Sequence, residues 1–118
     1  MKPFLSGAKF IIALKNRKGL KPETYNLMFS KQTDNLGPYK SNFWNYNEYL
    51  SFGFFIEEAP YGNVIRHGGV NGDFWATFRL YDELDMGYVI MTNGNGGEFI
   101  RDNIERNLIN PEKISVKN

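Results

Sequence analysis

The sequence predicts an α+β domain: an antiparallel meander of about four strands with helices before and after it. Two observations carry this. From Leu50 to Thr92 apolar residues recur with a period of two and are interrupted by short turns rich in Gly, Pro, Asn and Asp, which is how strands and their hairpins are written. On either side, residues 7–17 and 98–109 carry apolar residues at helical spacing. Strands gathered in one run and helices placed outside it define the α+β class.

The elements follow in order. Ser6 is placed to N-cap a helix over 7–17, which puts Phe10, Ile11 and Leu14 on one side and ends at Gly19. Lys21-Pro22-Glu23-Thr24 opens a second helix reaching about Ser30. Its proline sits where no amide hydrogen is needed, and its carboxylate meets the positive end of the helix dipole. Residues 31–48 read as a long surface loop. Phe52, Phe54 and Ile56 then share one face of a strand, Pro60 to Asn63 turns the chain, and Val64 to Gly69 returns. Asp73 to Tyr81 alternates Phe74, Ala76, Phe78 and Leu80 against Trp75, Thr77, Arg79 and Tyr81. After a turn at Asp82–Asp85, Met86 to Thr92 has almost no polar side. A strand of that kind belongs inside a sheet, yet the meander leaves it last, at an edge, where it invites another strand. The closing helix runs from Glu98 to about Ile109, with Ile100, Ile104 and Leu108 as its inward stripe, an Asp102/Arg106 pair one turn apart, and Pro111 as its stop.

Composition narrows the function. The 118 residues make one domain or part of one. A net charge of +1, from 14 basic and 13 acidic residues without blocks of either sign, argues against nucleic acid or an anionic membrane as partner. With no cysteine and one histidine, neither disulfides, thiolate metal sites nor histidine-based metal sites can form. No apolar run approaches the ~20 residues of a membrane span. Lys9 interrupts the N-terminal apolar run, which reads as a helix rather than an export signal. Asn93 to Gly97 precedes a helix but lacks the spacing and lysine of a phosphate loop, and Glu98 would repel phosphate. No cofactor is expected. Phe43, Trp44, Tyr46 and Tyr49 read as a loop packing on its own domain, with an aromatic binding surface as the alternative.

The chemistry concentrates in Arg66-His67-Gly68-Gly69-Val70-Asn71-Gly72-Asp73-Phe74. Alone, His67-Gly68-Gly69 reads as a strand end with two turn glycines and a hydrogen-bonded histidine. It stands, however, in an ordered set: Ala8 to Leu14, Leu20 to Thr24, Phe52-Gly53-Phe54-Phe55, Gly72-Asp73-Phe74, and Val89 to Asn93 before the last helix. This set resembles the C-terminal portion of the serine β-lactamase and penicillin-binding-protein family, which includes class C β-lactamases, D,D-peptidases and related esterases. The resemblance implies acyl transfer or hydrolysis of a β-lactam, a D-Ala peptide or an ester. It casts His67 as the polar residue near the acyl group or substrate carboxylate, Gly69 as the residue that leaves room for the substrate backbone, and Val70 as a backbone oxyanion donor. Gly68 and Asn71 would touch substrate. One such donor is worth about 3–4 kcal/mol where it has been removed from a protease. Family members are often exported, so an exported or periplasmic location is implied as well.

The family also needs Ser-x-x-Lys and Tyr/Ser-x-Asn for nucleophilic attack and proton transfer. Ser6-Gly7-Ala8-Lys9 and Tyr61-Gly62-Asn63 match these patterns, but motifs this short arise readily by chance. Ser6 already has a role as N-cap, and Tyr61 lies in a turn three residues before Arg66. The nucleophile is therefore expected in an upstream part of the same catalytic unit. The chain is expected to be inactive alone and to associate with that part or with itself. The alternative is a non-catalytic peptide- or ligand-binding domain derived from the same fold.

Overall fold

The computed structural model describes residues 2–35, 46–94 and 96–108, with side chains from Ser6 onward. Helix α1 spans Lys2–Lys15, so Ser6 lies inside the helix and the expected N-cap is overturned. Gly19 does not end it either. The stop is a Schellman motif two residues earlier: Arg17 takes a left-handed φ of 53°, its N–H donates to Leu14 O, and Lys18 N–H donates to Ala13 O. The Arg17 guanidinium adds a bond to Leu14 O at 2.9 Å and pairs with Asp82 at 2.7 Å. Helix α2, Pro22–Met28, begins at Pro22 as its sequence requires.

The expected loop at 31–48 is in part sheet. Thr33–Asp34 forms β1 and Asn47–Leu50 forms β2, with residues 36–45 outside the described set. Glu48 organises this edge: both its oxygens accept from Arg66 at 2.6 and 2.7 Å, and Asn35 donates to it at 2.6 Å. Phe52 is not a strand residue. The chain bends at Ser51–Phe54 through Gly53, whose φ is 88°, and β3 starts only at Phe55, running to Ala59. Pro60 and Tyr61 turn into β4, Gly62–Asn71. Gly72 and Asp73 form the next two-residue turn, with φ +60° at Gly72, as a primed hairpin turn demands. Then come β5, Phe74–Tyr81, and β6, Met86–Thr92. All six strands form one antiparallel sheet in sequence order, β1 to β6. The α+β class and the meander flanked by helices are as the sequence predicts, with β6 at the edge.

The two faces of the sheet differ. Strand partners share a face, so Ile56, Ile65, Leu80 and Gly87 line up beneath α1. Ile11, Leu14, Tyr25 and Tyr49 complete an apolar core there. The opposite face presents Glu57, Val64, Arg79, Tyr81 and Tyr88, and α3, Gly97–Leu108, covers it. The expected inward stripe of α3 is overturned. Ile100 and Leu108 are exposed, whereas Glu105 is 1% exposed. The cause lies on β5: Arg79 Nε pairs with Glu105 at 3.0 Å and the Tyr81 hydroxyl donates to the same carboxylate at 2.5 Å. Asp102 takes Arg101 as partner, at 2.8 Å.

Candidate functional site

The site begins where β3 stops. β4 pairs with β3 only as far as Arg66, opposite Phe55, and continues to Asn71 against β5 alone. The bend that ends β3 is held locally, since Phe54 O accepts from Ser51 N–H at 2.9 Å and from the Ser51 hydroxyl at 3.2 Å. In an antiparallel ladder, alternate residues send both backbone groups to opposite edges. Ala76, the partner of Gly69, aims its carbonyl at β4, 2.9 Å from where a Cβ on Gly68 would stand. Gly69 therefore bonds to β5. The N–H and C=O of Gly68 and Val70 point the other way, to the edge that β3 leaves open.

Beside this edge, on the α1 face, lies a cavity of about 360 Å³ whose lining includes Gly7 and Phe10 of α1, His67 and Gly69 of β4, Phe78 and Met91. Its size and apolar lining suit a small-molecule site. The two glycines differ in role. A side chain on Gly68 would collide with Ala76 O and crowd Thr77 Oγ1 at 3.1 Å, while a side chain on Gly69 would meet nothing within 4 Å. Gly68 lets β4 and β5 approach, and Gly69 keeps space open. From behind, the Thr77 hydroxyl donates to His67 O at 3.1 Å. The exposed His67 ring stands 5.8 Å from the Phe55 ring.

His67, Gly68 and Gly69 thus line one cavity. Val70 turns its side chain, 67% exposed, to the other face, but its N–H lies at the open edge. Asn71 is exposed at the hairpin end, outside the cavity lining. Ser6 is exposed, and its neighbour Gly7 borders the cavity. Tyr61 is not brought to the site. It sits at the far end of β4, buried and packed 6.2 Å from Tyr81 in the cluster with Val64. The aromatic group divides: Tyr49 joins the core and Tyr46 packs on Tyr61, while Phe43 and Trp44 lie outside the described residues.

Periodicity gave no sign of the charged layer under the opposite face. Arg79, 1% exposed, pairs with Glu105 and, at 3.6 Å, with Glu57. Burial pushes the Glu57 carboxyl above its ordinary range, against the pull of Arg79 and with the added repulsion of Glu105 and Glu48. Burial would lower the Arg79 pKa, but Glu105 and Glu57 outweigh it and raise it. Burial also raises the Tyr61, Tyr81 and Tyr88 hydroxyls. Among the described residues Glu57 Oε1 and the Tyr61 hydroxyl find no hydrogen-bond partner. The available signal was a lone charged residue, Arg79, inside an otherwise uncharged strand pattern from Phe74 to Tyr81. No cluster of His, Asp or Glu fit to hold a metal occurs among the described residues, and no helix among them is long and apolar enough to cross a membrane.

Neither a family model, nor a curated protein, nor a solved structure matches this chain.

Proposed function

We propose that the chain is the C-terminal segment of a β-lactamase-like serine hydrolase and supplies one wall of its cleft. The observation that carries this reading is the meeting of the open β4 edge with the His67 cavity. An extended substrate can pair its backbone with Gly68 and Val70 as an added strand. The outward Val70 N–H then faces a carbonyl oxygen as it gains negative charge, which is where a preorganised donor accelerates acyl transfer. Gly69 leaves the substrate its space, and His67 can donate to or accept from a polar group beside it. The attacking hydroxyl comes from an upstream part of the unit.

A second reading, a non-catalytic domain that binds a peptide or other small ligand, is favoured by the cavity lining itself. No side-chain hydroxyl of the lining faces the cavity: that of Thr77 lies on the other face of the sheet, engaged with His67 O. Intact mass after exposure to a fluorophosphonate or a β-lactam, for the parent and for Ser6→Ala, separates the outcomes. The proposal expects no covalent adduct on either. A stoichiometric adduct lost in Ser6→Ala would place the nucleophile on α1 and refute the upstream assignment. Saturable binding by the chain and no turnover with any upstream part supplied would favour the second reading.

A further inference from the structure

We propose that β6 is a self-pairing edge, along which two copies of this chain join their sheets. Trp75 O lies 3.5 Å from Thr92 Oγ1, and Arg79 O lies 2.8 Å from where a Cβ on Gly87 would stand. Both carbonyls therefore point at β6. The alternation then assigns Met86, Tyr88, Ile90 and Thr92 to the bonds with β5. The N–H and C=O of Gly87, Val89 and Met91 face outward, where no strand pairs with them among the described residues.

Three features select a second copy as occupant. Residues 86–92 contain no charge and no proline, the usual guards of an edge, so antiparallel self-pairing sets no like charges opposite each other. The outward set is symmetric about Val89: a two-fold axis there pairs Val89 with its copy and Gly87 with Met91, each exchanging the groups left free. The flanks also match. Ala8 and Ile12 of α1 line a groove along Met86–Val89 on one face, with the Lys15–Asp85 ion pair at its Met86 end, and Phe99 and Ile100 of α3 stand exposed on the other side of the sheet. A two-fold axis through the edge brings α1 beside its copy and closes that groove. A strip seven residues long and one helix layer thick on each face buries on the order of 500 Å² per copy. That is at the small, weak end of specific interfaces, so the dimer is expected to be a transient one. The inference concerns the chain by itself and holds whether or not the His67 cleft binds a ligand; an upstream strand seated on β6 would compete with the second copy for the same edge.

Sedimentation equilibrium over a wide concentration range tests it, with Met91→Pro and Ile12→Glu as variants. Met91 N–H faces outward, so proline there spares the β5 ladder. Ile12 is exposed, so glutamate there keeps the fold and sets two like charges across the axis. The expected result is a concentration-dependent dimer, weakened by about tenfold or more in either variant. The amides of Gly87, Val89 and Met91 should gain exchange protection as concentration rises. A monomer up to about millimolar concentration, or a dimer indifferent to both variants, would overturn the inference. Should Met91→Pro unfold the chain, Ile12→Glu and the amide protection decide the same question.

Discussion

At the scale of single residues, His67-Gly68-Gly69 was legible because the histidine and glycines announce a special strand end, and the structure separates what each glycine does. Adding a methyl at Gly68 drives it into Ala76 O, an overpacking of about 1–3 kcal/mol. Gly68→Ala is thus expected to lower the thermal midpoint, whereas Gly69→Ala should leave it unchanged and weaken any ligand of the cavity. Calorimetric unfolding combined with a binding titration checks both, and equal destabilisation by the two would contradict the division. Arg17 was not legible. Glycine is the usual left-handed residue after a helix, so the pattern favoured Gly19. Arg17 wins because Asp82 and the rings of Phe29 and Tyr25 hold its guanidinium, and those partners are distant or invisible to local spacing.

At the scale of elements, β5 and β6 were readable to within a residue, since alternation is a backbone property that survives any packing partner. α3 was not, because its stripe was judged by hydrophobicity while the sheet beneath it offered Arg79 and Tyr81. Removing Glu105 would leave Arg79 short of its nearer carboxylate, so Glu105→Ala should cost about 3–5 kcal/mol in urea unfolding, as breaking a buried pair does. Glu57 behaves oppositely. Its folded pKa lies above its unfolded value, so the native state holds the extra proton between the two. The stability from that proton is complete below the unfolded pKa and is lost as pH rises through the folded one. Glu57→Gln should flatten this decline, and a parent and variant with parallel pH profiles would refute the assignment. β1 and β2 escaped sequence reading for a similar reason: two to four residues carry too little period, and Glu48 is placed by Arg66, 18 residues away.

At the scale of the whole molecule, the α+β meander and its apolar last strand were plain from the order of periods and turns. The open edge of β4 was not, since it depends on β3 stopping early at the Gly53 bend, a length that no motif encodes. That edge, beside the His67 cavity, is the centre of the functional account. The most direct test is a titration of the amide resonances with a peptide ending in D-Ala-D-Ala, for the parent and for Val70→Pro, which deletes the outward donor and no ladder bond. The account predicts saturable shifts at His67, Gly68, Gly69 and Val70 in the parent and their loss in the variant, with the fold retained. Shifts confined to the α3 face or to β6, or binding undiminished in Val70→Pro, would contradict it.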